Sequence, residues 1–273
     1  MPPEPSVPTI PGSAPAKPPV ALPKTPSFRL DGRRALVTGA GRGLGLAMAA
    51  ALAEAGAEVS LAARSAGEVE AVADAIRARG ERASAFALDV TDTDRARIEI
   101  AARGPFQVLV NNAGTNRPAH FLDVTEEDYQ AVSDLNVRAA LFVAKAVAEG
   151  LVEARRPGSI VNVSSQMGHV GGPKRTVYCA TKHALEGATK AMAWELAEHG
   201  IRVNTICPTF IETPLSHAML QESSFHDFVT SRIASGKIGR VEDVMGAVVY
   251  LASDASALVT GSALMIDGGW TAV

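Results

Sequence analysis

Seven short apolar runs alternate with longer Ala-rich stretches from residue 34 to residue 266, and this alternation constrains the fold more than any other feature of the chain. The runs are 34–38, 58–62, 83–88, 107–110, 159–163, 202–207 and 263–266. Several are apolar throughout instead of alternating, as expected of strands covered on both faces. The stretches 45–55, 67–79, 126–148, 176–198 and 241–252 carry helical spacing. Strand and helix in strict alternation predict an α/β fold, a doubly wound, parallel seven-stranded sheet with helices on both faces. Ligands of such sheets bind beyond the carboxyl ends of the strands.

Ten of the 16 prolines fall within residues 1–27, so this segment is expected to be a disordered, extended tail. It lacks a positive region followed by an apolar run and therefore does not read as a secretory signal. Residues 28–273 are expected to form a single domain. With 26 basic and 29 acidic residues the formal charge is −3, which argues against nucleic acid or an anionic membrane as a partner. No apolar window is long enough to span a bilayer. Two cysteines, Cys179 and Cys207, are too few for a disulfide framework. The expected location is cytoplasmic.

The first strand runs into Thr38-Gly39-Ala40-Gly41-Arg42-Gly43-Leu44-Gly45, followed at once by an Ala-rich helix. Glycines there let the backbone turn sharply and approach a pyrophosphate at the helix N-terminus, so the placement favours a dinucleotide over a plain turn. Tyr178 and Lys182, four residues apart, share one helix face. A phenol with a pKa near ~10 becomes a useful acid and base near neutrality when neighbouring positive charge favours its anion.

These motifs do not stand alone. In order, the chain carries TGxxxGxG (Thr38 to Gly45), Asp89-Val90, Asn111-Asn112-Ala113-Gly114, Asn136 within a helix, Ser164-Ser165, YxxxK (Tyr178, Lys182), RVNxIxP (Arg202 to Pro208) and Asp267-Gly268-Gly269. In this the sequence resembles the short-chain dehydrogenase/reductase family, single-domain branch, over residues 31–270. Gluconate 5-dehydrogenase-like and 3-oxoacyl reductase-like members are the nearest comparisons.

The resemblance implies an NAD(P)-dependent oxidoreductase that interconverts a secondary alcohol and a ketone by hydride transfer. Tyr178 would exchange a proton with the substrate oxygen, Lys182 would lower its pKa and hold the nicotinamide ribose, and Ser165, 13 residues before Tyr178, would bond the carbonyl. Asn136 would kink its helix and bind a water linking Lys182 to solvent. The implied cofactor-binding set is Gly39, Arg42, Gly43, Leu44, Gly45, Arg64, Ser65, Asp89, Val90, Asn112, Ala113, Gly114, Pro208, Ile211 and Thr213, together with Tyr178 and Lys182. Asn111 would brace the sheet. Asp89 reads equally as a helix N-cap, in competition with Asp92. After Pro208 the family commonly has Gly, whereas this chain has Thr209, which questions the backbone turn there.

The segment 211–239 would be the substrate lid, with a sugar acid, a polyol or a 3-oxoacyl derivative as candidate substrates. A non-catalytic, cofactor-binding regulatory protein of the same fold is the alternative. NADP(H) is expected in preference to NAD(H), because the place about 20 residues after the glycine turn holds Ala63, Arg64 and Ser65 and no carboxylate. Arg64 and Arg42 would instead meet a 2′-phosphate.

None of the six histidines has the spacing of a helical metal motif, and no metal site is expected. His169 and His217 fall beside the expected substrate region, where pocket lining and an ordinary surface position are both open. Cys179 reads as a small buried residue. The stripe Ala180, Ala184, Gly187, Ala188 and Ala191 would admit a second helix closely, and the family resemblance implies a homodimer or homotetramer.

Overall fold

Parallel strands buried on both faces need long apolar runs and crossover helices, and the chain supplies both in turn. A computed structural model describes Met1 and residues 21–272. Most of the expected proline-rich tail, residues 2–20, lies outside the described residues. The strands are β1 (Arg34–Thr38), β2 (Glu58–Ala63), β3 (Arg82–Ala87), β4 (Val108–Asn111), β5 (Gly158–Val163), β6 (Ile201–Pro208) and β7 (Ala263–Ile266), within one or two residues of the sequence reading. They form one sheet in the order β3-β2-β1-β4-β5-β6-β7, every pairing parallel. The order reverses between β1 and β4, which opens the crevice where ligands of such sheets bind.

Helices α1 (Gly43–Glu54), α2 (Ala66–Ala78) and α9 (Glu242–Ala252) cover one face. Their core includes Val37, Met48, Leu52, Leu61, Val110 and Val248, all fully buried. The opposite face carries α3 (Thr93–Arg103), α4 (Glu126–Ser133), α5 (Ala140–Glu153) and α6 (Thr176–Leu196). There Leu36, Phe106, Leu109, Leu151 and Ile160 are fully buried.

The helix expected as one piece over 126–148 is divided. Between α4 and α5 lies a π-helical segment, Asp134–Ala139, that contains Asn136. Its cause is tertiary: the buried Asn136 side chain bonds to groups on other elements, and the extra backbone residue of a π-turn aims it there. The segment 211–239 holds α7 (Pro214–Leu220) and α8 (Ser223–Arg232) and closes on itself at its base. Ile211 pairs with Gly239, and Glu212 N donates to Gly239 O at 2.8 Å.

Candidate active site

The turn after β1 is shaped by two glycines in particular. Gly39 has φ +63°, and a Cβ on Gly45 would fall 2.2 Å from the Gly39 carbonyl oxygen, so only glycine lets α1 pack this close to the turn. Helix α1 then begins with no side-chain cap and no acidic residue in its first turn, which leaves its positive N-terminal end for an anion. Thr38 and Asn112 hold the turn from the side. Asn112 N and Ala113 N donate to Thr38 Oγ1 at 3.0 and 3.1 Å, and Asn112 Nδ2 donates to the carbonyls of Thr38 and Gly39 at 2.9 and 3.1 Å. Asn111, wholly inside, donates to Ala140 O at 2.7 Å and so ties β4 to α5.

A cleft of about 940 Å³ runs from this turn along the carboxyl ends of the strands. Every expected cofactor residue lines it, from Gly39, Arg42, Gly43, Leu44 and Gly45 through Arg64, Ser65, Asp89, Val90, Asn112, Ala113 and Gly114 to Pro208, Ile211 and Thr213. Ser165, Tyr178 and Lys182 line it too, while Asn136 stands just behind. The cradle fits a dinucleotide: a pyrophosphate would meet the uncapped end of α1, and Arg42 and Arg64 flank the turn. Glu68 also lines the cleft, with Oε2 2.9 Å from where a Cβ on Gly41 would be.

Several open readings resolve. Asp92 is the cap of α3, accepting from Arg95 N at 3.0 Å. Asp89 instead accepts from Thr91 N and Oγ1 at 2.9 and 2.7 Å. Burial works against its ionisation, but the Thr91 bonds and the charge of Arg64 outweigh it and hold the carboxyl below its usual range. Ser65 caps α2, accepting from Glu68 N at 3.4 Å, and keeps its proton free to donate. Thr209 needs no left-handed backbone: among the described residues only Arg155 and Lys174 adopt positive φ without being glycine. His217 is exposed, and Cys179 is only half-buried.

Lys182 is buried at 5% exposure, donates from Nζ to Val163 O at 2.8 Å, and lies 5.5 Å from the Tyr178 ring centre. Burial lowers its pKa to about 8, with Cys207 and Glu186 opposing that effect. Burial likewise pushes the Tyr178 phenol up, opposed chiefly by Ser165. Ser165 Oγ donates to Gln166 Oε1 at 2.7 Å and accepts from Met167 N at 3.1 Å. Asn136 Oδ1 accepts from Thr115 N at 2.8 Å, and its Nδ2 donates to Thr115 O at 2.9 Å and Thr181 Oγ1 at 3.2 Å.

Two features escape the sequence motifs. Arg175 is 6% exposed and lines the cleft one helical turn before Tyr178, yet among the described residues its guanidinium meets only Lys174 O at 3.3 Å and Met219 Sδ at 3.5 Å. Gln166 Nε2 and Thr209 Oγ1, also on the cleft, are buried without a partner among the described residues. The place of Arg175 before Tyr178 was visible in the sequence; that no carboxylate among the described residues pairs with it was not.

Comparison with known proteins gives a consistent picture. A family model described as enoyl-(acyl carrier protein) reductase matches residues 39–271. D-erythrulose reductase of Gallus gallus is 41% identical, over 90% of this chain and 98% of its own. Gluconate 5-dehydrogenase of Gluconobacter oxydans is 39% identical, over 89% and 96%. Among solved structures, a putative 2-deoxy-D-gluconate 3-dehydrogenase from Agrobacterium tumefaciens with bound NADP superposes with a TM-score of 0.87 at 42% identity, covering 92% of this chain and all of that one.

Proposed function

Because this chain belongs to the short-chain dehydrogenase/reductase family, we propose that it interconverts a ketone and a secondary alcohol on a carboxylate-bearing sugar, with NADP(H) as cofactor. The reaction class is that of an NAD(P)-dependent oxidoreductase acting on CH–OH groups. When bound, the nicotinamide supplies or accepts the hydride at C4.

In the reducing direction Tyr178 gives its proton to the carbonyl oxygen while the Ser165 hydroxyl, turning from Gln166 Oε1, donates a hydrogen bond to the same atom. Burial keeps the phenol protonated until the substrate arrives, the state this direction requires. The Lys182 ammonium stabilises the phenolate left behind. A Cβ on Gly114 would lie 3.2 Å from Asn136 Oδ1 and 3.8 Å from Lys182 Nζ. Its absence leaves room beside both groups for the water through which Lys182 reaches solvent. Arg42, Arg64 and the proton of Ser65 suit a 2′-phosphate, which supports NADP(H).

The observation that carries the substrate class is Arg175. A buried guanidinium stays charged, and without an anion its desolvation is uncompensated. A substrate carboxylate placed there completes the pair and fixes which carbon faces Tyr178, whereas a neutral polyol or an acyl thioester would not. Gln166 Nε2 and Thr209 Oγ1 are then available to substrate hydroxyls. Arg175→Gln tests this. For a sugar acid such as 5-ketogluconate kcat/KM should fall roughly 10- to 100-fold, the loss of one charge-assisted hydrogen-bonded pair, while a neutral ketose such as xylulose should change less than about threefold. Equal losses on both would overturn the assignment.

The catalytic unit is residues 28–273, with 211–239 bordering the substrate. Assembly as a homodimer or homotetramer is supported by α6, where Ala180, Ala184, Gly187 and Ala191 are exposed and Ala188 is half-buried. Among the described residues no helix is long and apolar enough to cross a membrane. Two unpaired thiols suit a cytoplasmic location.

A further inference from the structure

Three potential metal ligands that no sequence motif connects meet behind the catalytic residues. His169 follows the turn after β5, Glu186 is on α6, and Cys207 is near the end of β6. None of them lines the cleft. His169 Nε2 is 3.5 Å from Glu186 Oε1 and 3.5 Å from Cys207 Sγ, and Sγ is 3.3 Å from Oε1.

The size of this triangle is informative. Zinc bonds of about 2.3 Å to sulfur and 2.0–2.1 Å to nitrogen or oxygen, at tetrahedral angles, separate the donor atoms by roughly 3.3–3.6 Å. All three observed edges match. The carboxylate is also oriented from outside, since the buried Thr205 Oγ1 donates to Glu186 Oε2 at 3.1 Å and leaves Oε1 turned to the other two donors. Such an outer bond is what a ligating carboxylate needs to hold its position.

A second, independent observation concerns Ser164. It is 3% exposed and lies near the Cys207 thiol, and among the described residues its Oγ has no hydrogen-bond partner of good geometry. It sits beside the cluster: a Cβ on Gly168 would fall 2.9 Å from Ser164 Oγ and 3.1 Å from Glu186 Cγ. The hydroxyl is thus a buried polar neighbour of the cluster with hydrogen-bonding capacity to spare. The His169 side chain is 30% exposed against 7% for Glu186, so an ion has a way in from the His169 side.

We propose that His169, Glu186 and Cys207 form a Zn²⁺ site, with the fourth position at the Ser164 hydroxyl or a water bonded to it. Sulfur, imidazole and carboxylate together suit zinc, whereas Mg²⁺ and Ca²⁺ require oxygen ligands. On binding, the thiol proton that now lies between Cys207 and Glu186 leaves to solvent and the metal takes its place. The ion would tie together the end of β5, helix α6 and the end of β6, the segments that carry Ser165, Tyr178 and Pro208. Its role is to clamp the active site from behind, without contact with substrate.

The test uses the full chain, stripped with a chelator and titrated with Zn²⁺ and, separately, Co²⁺. The expected result is one ion per chain, and for Co²⁺ the intense visible bands of a tetrahedral site with a near-ultraviolet thiolate-to-metal band. Cys179→Ser should keep that band and Cys207→Ser should lose it. His169→Ala, at a partly exposed position that does not threaten folding, should weaken binding by at least ~10-fold and abolish the rise in melting temperature that Zn²⁺ gives the wild type. Absence of stoichiometric binding, a thiolate band that depends on Cys179, or unchanged affinity in His169→Ala would each overturn the site and leave a hydrogen-bonded cluster. None of these outcomes bears on the hydride-transfer assignment.

Discussion

Replacing Asn136 by Ala should damage stability and turnover together, and the size of the first effect follows from the bonds lost. Three hydrogen bonds disappear: two to the backbone of Thr115 and one to Thr181 Oγ1. Each is worth about 1 kcal/mol net, with a further penalty where a partner stays buried and unsatisfied. Thr115 is half-buried, so water recovers part of its loss. Thr181 is 3% exposed but still donates to Tyr178 O at 2.8 Å, so its hydroxyl is not orphaned. The sum is roughly 2–3 kcal/mol. For a domain of this size that corresponds to a fall in melting temperature of roughly 5–10 °C. The π-segment should relax towards a regular helix, and kcat should fall because Lys182 loses its ordered path to solvent. Thermal melts with and without NADP, together with steady-state kinetics in both directions, separate the two effects. A melting temperature within about 2 °C of wild type would refute the bridging role. A lower melting temperature with unchanged kcat would confine Asn136 to architecture.

Three further outcomes are expected. Tyr178→Phe keeps the ring and removes only the proton donor, so the variant should bind NADP(H) normally; retention of more than about a tenth of the wild-type rate, a loss under roughly 1.4 kcal/mol, would show the proton comes from elsewhere. Arg64→Ala should raise the KM for NADP(H) by roughly 10-fold with that for NAD(H) unchanged, and adding Ala63→Asp should reverse the cofactor order; a wild type already faster with NAD(H) would sink the phosphate-binding role of both arginines. Light scattering at micromolar concentration should give at least a dimer mass, and a monomer mass would leave the exposed face of α6 unexplained.

What the sequence revealed was whatever is encoded over short distances. Apolar runs marked strands to the residue at Arg34–Thr38, where burial on both faces leaves no polar interruption within, and at Ala263–Ile266, a half-buried edge strand that is apolar throughout. The glycine turn and the Tyr178/Lys182 pair are likewise local patterns. Features set by tertiary contact stayed hidden. The break at Asp134–Ala139 depends on Thr115 and Thr181, which flank Asn136 from other elements. The isolation of Arg175 is a statement about what is missing around it, and no spacing carries that. His169, Glu186 and Cys207 lie 17 and 21 residues apart, on three elements that only the sheet brings together.

Helix α6 shows how the fold and its chemistry constrain each other. A helix on an α/β sheet ordinarily turns an apolar stripe inward. The inward stripe of α6 instead includes Thr181, Lys182, Glu186 and Thr189, all buried. Each has an answering group on a strand or an adjoining helix: Asn136 for Thr181, Val163 O for Lys182, Thr205 for Glu186 and Asn162 for Thr189. The carboxyl ends of β5 and β6 therefore have to be polar inside, and the seven-stranded sheet tolerates this because the fully apolar packing lies elsewhere, around Leu36, Leu109 and Ile160 on the same face and Val37, Leu61 and Val110 on the other. With Thr181, Lys182, Glu186 and Thr189 on its inward side, α6 buries few large apolar side chains, and outward it exposes the small residues Ala180, Ala184, Gly187 and Ala191 among the polar His183, Lys190 and Glu195, beside a Trp194 that is 88% exposed. Its apolar contribution to the sheet comes from Leu185 and Ala193, with Met192 and Leu196 packed against the same core. A second copy packed on this outer face would bury Trp194 together with the run of small residues, which is why a monomer mass in light scattering would count against assembly through α6.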